Sequence, residues 1–217
     1  SPSPYVDERF RRKIIKAVEE AAGSIGYQSL GTFEFLVDAN KNFYFMEANT
    51  RVQVEHPITE MIYGIDLIKE QIKIAAGEKL SISHSLKPNG HSLECRINAE
   101  DAQTFTPSPG QIDFLVFPGG MGVRIDSAAY SGWNIPPEYD SLIAKIVVRA
   151  SSRAEAIIKM KTALEMTTIV GINTNIPLQL GILSNSNFLK GQYNIQFMER
   201  YLSKGKKTAR ENPAESA

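Results

Sequence analysis

Phe10, Ile14, Val18 and Ala21 recur at the three- and four-residue spacing that gathers side chains on one helix face. Asp7 stands just before them, and an aspartate there can accept the unpaired N–H groups of a first turn. The spacing predicts a helix over residues 7–22, ended by Gly23, after a Pro- and Ser-rich loop at residues 1–5. The pattern then changes. Residues 32–37 and 42–47 are rich in aromatic and branched side chains, and Asp38-Ala39-Asn40-Lys41 between them is a turn signal, so the segment reads as a β-hairpin. Residues 48–58 are polar and end in His56-Pro57, which predicts a loop. Residues 65–76 predict a helix with Ile65, Ile68, Ile72 and Ala75 on one face and Gly77 as the stop.

From about residue 81 the texture is β-rich. Strands are expected at 91–97, 111–117, 122–126 and 142–149, punctuated by Pro107-Ser108-Pro109-Gly110 and Pro118-Gly119-Gly120. Ser152-x-x-Glu155 is a capping box opening a helix to about Met166, with Ile157, Met160 and Leu164 inward. A further helix is expected over 174–184. The chain therefore reads as α+β. Residues 1–80 are helices around a hairpin, 81–202 are strand-rich and finished by helices, and 203–217 form a loosely ordered tail. The first unit is short for an independent domain, which suggests part of a longer protein.

Composition removes several classes of function. The 217 residues carry 24 Lys+Arg against 24 Asp+Glu, so bulk basicity offers nothing to nucleic acid. One cysteine, Cys95, excludes an internal disulfide and a cysteine zinc cluster, and it reads as a small buried hydrophobe. His56, His84 and His91 never fall at metal-ligand spacing. No apolar run approaches the roughly 18 residues of a membrane span, and no signal-peptide core is found at the N-terminus. The expectation is a soluble, cytoplasmic protein.

The hairpin carries an acid on each strand, Glu34 and Glu47. With a four-residue loop, 39–42, Asp38 pairs with Phe43 and Glu34 falls opposite Glu47, with Cβ atoms about 5 Å apart. A five-residue loop shifts the register by one. Two facing carboxylates suit a hard divalent cation, since Mg²⁺ takes one or two carboxylates plus substrate phosphates. Asn49 could add a neutral oxygen. The plain alternative is two carboxylates on a solvated sheet face. The run 47–57 then packs two acids, Asn49, Arg51 and Gln53 behind a strand. A guanidinium fork suits a small oxyanion such as bicarbonate, and a nearby carboxylate could act as general base. The alternative for Arg51 and Glu55 is a weak surface ion pair.

The run EANTRVQVEHPITEM, preceded by TFEFL and followed by GIDLIKEQIKIAAGEKL, closely resembles biotin carboxylase. So do HSLECRINAED, TFTPSPGQI, PGGMGVRIDS and YDSLIAKIVV. The resemblance runs from Ser1 to about Leu202. It implies the C-terminal part of an ATP-grasp domain followed by the strand-rich biotin carboxylase C-terminal domain. It implies a ligase that uses ATP, bicarbonate and biotin to make carboxybiotin through carboxyphosphate. Glu34 and Glu47, with Asn49 beside them, match the Mg²⁺ (or Mn²⁺) ligands. Arg51, Gln53 and Val54 match the bicarbonate site, and Glu55 matches the base. Arg96 matches the arginine that stabilises the biotin enolate. Leu36, Met46 and Ile195 match apolar positions of the adenine pocket, with a plain core role as the alternative. His56 reads as orienting the loop.

The resemblance also implies partners: a biotin carboxyl carrier protein, carboxyltransferase subunits and a second copy of the chain, with no nucleic acid and no membrane. Gly120-Met121-Gly122-Val123-Arg124 resembles the family's dimer strand, with Met121 where relatives often have an aromatic. The glycine-rich lid and nucleotide-gripping lysines of the family are not found in the sequence, so the chain alone is expected to be inactive. The separate subunit of a bacterial-type acetyl-CoA carboxylase, feeding fatty-acid synthesis, fits best. Propionyl-CoA, methylcrotonyl-CoA or pyruvate carboxylase, or a non-catalytic dimerisation module, are the alternatives.

Overall fold

The computed structural model describes residues 1–83 and 86–203. His84 and the tail 204–217 lie outside the described residues. The fold is α+β. Its first elements are α1 (Glu8–Ser24), β1 (Thr32–Val37), β2 (Phe43–Asn49), α2 (His56–Tyr63) and α3 (Leu67–Ala75). Next come β3 (His91–Asn98), β4 (Gly110–Gln111), β5 (Phe114–Val116), β6 (Val123–Ser127), β7 (Asn134–Ile135) and β8 (Leu142–Ala150). The last are α4 (Arg153–Met166), β9 (Thr168–Val170), α5 (Ile176–Ser184) and α6 (Ser186–Leu189). Strands β1 and β2 form the hairpin, β3-β8-β6 line up in that order, and β4-β7 and β5-β9 are two-stranded antiparallel pairs.

Two compact units result. One comprises Ser1–Cys95, Gly119–Arg124 and Ile146–Met160; the other comprises Arg96–Pro118, Ile125–Lys145 and the chain from Lys161. In the first unit Asp7 caps α1, its carboxylate accepting from Phe10 N–H at 2.8 Å. Gly23 does not end this helix, which runs on to Ser24; the left-handed turn comes at Gly26. Ala21 of the expected inward face is exposed, and Phe10 is the buried residue of α1. The polar run 48–58 is not all loop. Strand β2 continues to Asn49, and α2 starts at His56 because Pro57 is tolerated in a first helical turn, where its missing N–H costs nothing. Gly64 closes α2 in the left-handed conformation.

Helix α3 does not bury the apolar face that its periodicity picks out. Ile72 is 65% exposed, Ile68 and Ala75 are also exposed, and Glu70 is the buried residue. Its carboxylate accepts from Lys73 Nζ at 2.8 Å and from Ser81 N–H at 2.9 Å, and those bonds fix which side turns inward. The core of the first unit gathers Phe10, Ile62, Cys95, Ile146, Val147, Val148, Ile157 and Met160. The Ser152 hydroxyl accepts from Glu155 N–H at 3.3 Å, but the Glu155 carboxylate returns to Ser151, so the box is offset by one residue. Gly122 has φ 75°, and a Cβ there would lie 2.6 Å from the Arg149 carbonyl oxygen, so only glycine fits this turn.

In the second unit the core is Ile97, Ala99, Ile112, Ile135, Ile143, Ala144, Leu164 and Leu183. The strand expected at 111–117 is broken in two. Buried Ile112 donates its N–H to Trp133 O at 2.9 Å and accepts from Gly132 N–H at 2.6 Å, so the chain changes partner there. It pairs with β7 before that point and with β9 after it.

Candidate active site

The hairpin closes with a five-residue turn, not four: Val37 pairs with Phe43, and Asp38 N–H donates to Asn42 O at 3.0 Å. The Asp38 side chain holds this turn together. It accepts from Asn40 N–H at 2.9 Å, Asn42 N–H at 2.8 Å and Asn42 Nδ2 at 2.9 Å. The bonds from Asn42, side chain first, keep its carboxyl below the usual range. Lys41 takes the left-handed position at φ 61°. That register carried onward would set Glu34 against Met46. A bulge in β2, opposite the Glu34–Phe35 step, absorbs Met46 and restores the pairing of Glu34 with Glu47. Phe33, Phe35, Phe43 and Phe45 pack on one face, with neighbouring ring centroids 5.4 to 6.2 Å apart. Glu34, Glu47 and Asn49 converge through the bonds described next.

Asn49 Nδ2 donates to Glu34 Oε1 at 2.9 Å and to Glu47 Oε1 at 2.9 Å. The two carboxylate oxygens are therefore no more than twice that distance apart, and the amide between them softens their repulsion. Gln53 Nε2 donates to Glu34 Oε1 at 3.2 Å. Arg51 Nη1 donates to Gln53 Oε1 at 3.3 Å and to Val52 O at 3.1 Å. Its Nε and Nη2 have no protein acceptor among the described residues, so part of the exposed fork faces outward. No group of three acidic, histidine or cysteine side chains gathers as a metal cage among the described residues. Two convergent carboxylates fit a hard divalent cation that takes its other ligands from phosphates and water; Asn49 presents its donor Nδ2 to both, and its Oδ1 would join such an ion only after the amide turned over.

Val54 and Glu55 complete the loop. Glu55 is exposed at the position capping α2, and its carbonyl accepts from Ile58 N–H at 3.1 Å. The His56 ring is turned back onto the loop, Nδ1 lying 2.8 Å from Gln53 O, which agrees with an orienting role.

Arg96 belongs to the second unit. It points out of β3 between buried Cys95 and Ile97. Asn175, itself buried, clamps the backbone there. Its Nδ2 donates to Arg96 O at 3.0 Å, and its Oδ1 accepts from Asn98 N–H at 3.0 Å. Hydrophobic periodicity does not single out Asn175; an asparagine just before an apolar helix start is the signal the chain offers for it. Leu36, Met46 and Ile195 are 46%, 53% and 88% exposed, so none is a core residue. Stacked rings of Phe188 and Tyr193, 5.3 Å apart, lie just before Ile195 in the chain. Cys95 is buried, and burial pushes its thiol up to about 12, with help from the Glu94 carboxylate, so it is no nucleophile at neutral pH.

Residues 94–200 match the family described as biotin carboxylase C-terminal domain, and residues 1–83 match the ATP binding domain of carbamoyl-phosphate synthase L chain. The biotin carboxylase of Haemophilus influenzae is 52% identical over 203 residues, which are 93% of this chain and 45% of that protein. Biotin carboxylase 1 of Bacillus subtilis is 50% identical, with 93% and 45% covered. A crystal structure of a Campylobacter jejuni biotin carboxylase complex superposes with a TM-score of 0.90 at 46% identity, over 92% of this chain and 45% of that one. The biotin carboxylase domain dimer of Hydrogenobacter thermophilus 2-oxoglutarate carboxylase, with MgADP and bicarbonate, gives 0.90 at 45% identity, covering 93% and 45%. The paired carboxylates and the following loop thus sit in an ATP-grasp region joined to a carboxylase C-terminal domain. The chain belongs to the biotin carboxylase family and spans a little under half the length of these relatives.

Proposed function

We propose that the protein carrying this chain is a biotin carboxylase, and that the chain holds its metal, bicarbonate and biotin-enolate residues. The observation that carries this reading is the Asn49 amide at 2.9 Å from both Glu34 and Glu47, joined to the Arg51–Gln53 contact by the Gln53 amide on Glu34 at 3.2 Å. Glu34 and Glu47, with Asn49 beside them, would hold Mg²⁺ or Mn²⁺, which supplies charge neutralisation on the ATP phosphates. Arg51, with Gln53 and Val54, orients bicarbonate. Glu55 takes its proton, so that a bicarbonate oxygen attacks the γ-phosphorus and ADP leaves. The carboxyphosphate so formed breaks to CO₂ and phosphate. Arg96 places a fixed cation against the negative charge that develops on the biotin enolate. Leu36, Met46 and Ile195 offer apolar surface to the adenine; their exposure supports that role over a core one.

The domain division at about residue 80 and the separate tail from 203 belong to the same proposal, supported by family matches that end at 83 and resume at 94. The proposal extends to the subunit of an acetyl-CoA carboxylase, working in the cytoplasm with a biotin carrier protein and carboxyltransferase subunits; the bacterial relatives named simply biotin carboxylase fit it, and a pyruvate carboxylase subunit among the relatives keeps that alternative beside it. No helix among the described residues is long and apolar enough to cross a membrane. A homodimer through the strand after Met121, which is 95% exposed, is the accompanying structural role. The test is ATP cleavage by the full-length protein, with and without bicarbonate and free biotin. ADP should form in step with carboxybiotin and depend on bicarbonate. Cleavage indifferent to bicarbonate, with no carboxybiotin, would sink the reading.

A further inference from the structure

A buried carboxylate outside the ligand set reaches the same loop. Glu60 lies on α2 with its side chain 8% exposed, although a buried charge is costly unless paired and hydrogen-bonded. Its Oε2 accepts from Arg124 Nη1 at 2.6 Å, and its Oε1 accepts from Leu67 N–H at 2.8 Å. The same Oε2 faces His56 Nε2 at 3.9 Å, too long for a hydrogen bond, and it attracts the ring where both ring nitrogens carry protons. The other ring nitrogen, Nδ1, lies 2.8 Å from the carbonyl oxygen of Gln53. A carbonyl only accepts, so Nδ1 carries a proton and donates it. Gln53 is the residue whose side chain bridges Arg51 and Glu34.

We propose that Glu60 is a positioning residue for the bicarbonate-holding loop. By fixing the His56 ring it fixes the Gln53 carbonyl, and with it the direction in which Gln53 presents its amide to Arg51 and Glu34. This rests on the biotin carboxylase reading and adds a residue that touches no substrate. The bonds to Arg124 and Leu67 would stabilise the fold whatever the loop did; only the path through His56 reaches the chemistry.

Glu60→Gln in the full-length protein keeps the shape and the acceptor for Leu67 N–H, and removes the negative charge facing His56. The KM for bicarbonate should rise about 10-fold, as for loss of an orienting partner, while the KM for ATP stays within about twofold. His56→Ala should give a similar rise. The double variant should be no worse than the worse single one, because both act along one path. Effects that multiply, or an unchanged bicarbonate KM in folded Glu60→Gln, overturn the proposal. Should Glu60→Gln not fold, an unchanged bicarbonate KM in His56→Ala overturns it equally. Hydrogen exchange reads the same path without turnover. The backbone amide of position 56, bonded to Gln53 O, should exchange about 10-fold faster in either variant once the intrinsic rate of the residue there is allowed for, with β8 unaffected. Unaltered exchange at His56 overturns the proposal. Absence of bicarbonate-dependent ATP cleavage in the unmodified protein would instead remove the functional reading, and the exchange result would still decide the role of Glu60.

Discussion

Strand β8 buries Ile143, Ala144, Ile146, Val147 and Val148 at 4% exposure or less, whereas the hairpin leaves Leu36, Tyr44, Phe45 and Met46 about half exposed, between 46% and 59%. The two regions keep their registers by different forces. A slip of one residue in β8 would carry Lys145, whose ammonium pairs with Asp126 at 3.2 Å, into a slot that buries Ala144 or Ile146, so burial itself holds the strand in place. In the hairpin the Asp38 turn sets one register and the bulge at Met46 resets it, so hydrogen bonds decide which acid faces which. Core strands therefore carry stability, and the hairpin carries direction.

The widest separation between the two regions should appear in unfolding. Ile146→Ala, at a fully buried position, should cost about 2–5 kcal/mol, the transfer and cavity terms together. Met46→Ala, 53% exposed at the bulge, should stay within about 0.5 kcal/mol. Urea unfolding followed by circular dichroism measures both. A hairpin variant as costly as the β8 variant would break the contrast.

The two arginines sharpen it on the side of activity. Arg96 projects from a strand whose backbone Asn175 clamps, while Arg51 stands on a loop and is steadied by Gln53. Lysine keeps the charge and loses the planar fork at either position. Arg51→Lys should lower ATP cleavage and carboxybiotin formation together and raise the KM for bicarbonate. Arg96→Lys should keep more of the ATP cleavage and lose carboxybiotin, by about 10²-fold in kcat for one lost transition-state donor. The ratio of phosphate released to carboxybiotin formed, taken for both variants, separates the roles. If that ratio stayed at the unmodified value in Arg96→Lys, its assignment to the enolate would fail.

What could be read from the chain follows the same division. Burial-driven elements were legible. Asp7 caps α1, β3 and β8 lie where alternation and apolar runs put them, and Ile157, Met160 and Leu164 are the inward face of α4. The pairing of Glu34 with Glu47 was also reached, by a path the structure corrects. A four-residue loop was expected, and the molecule uses five residues and then a bulge. Periodicity carries no trace of either, because turn length was settled by the side chain of Asp38 and the bulge by which face the aromatic rings take. Helix α2 was missed because its polar first turn continues the composition of the loop before it. Glu60, Glu70 and Asn175 escaped for one reason: a polar residue buried by its hydrogen bonds looks like an exposed one in a pattern of hydrophobic positions.

Glu70 offers the smallest effect and the most direct check on that last point. The ammonium of Lys73, then the hydroxyl and N–H of Ser81, hold its carboxyl at about 2. The folded value lies below the ordinary glutamate value of 4.5, so folding favours the ionised form. The stability this contributes is complete above that ordinary value and is lost as pH falls from there toward 2. Glu70→Gln removes the titration and leaves the size of the side chain unchanged. The difference in urea midpoint between the unmodified chain and Glu70→Gln should therefore be constant near neutral pH and shrink as pH is lowered through that window. Lys73 is partly exposed, so water weakens the pair and the difference should be modest. A difference that held steady down to pH 2 would mean the carboxylate is not what turns this face of α3 inward. The outward position of Ile72 would then need another cause.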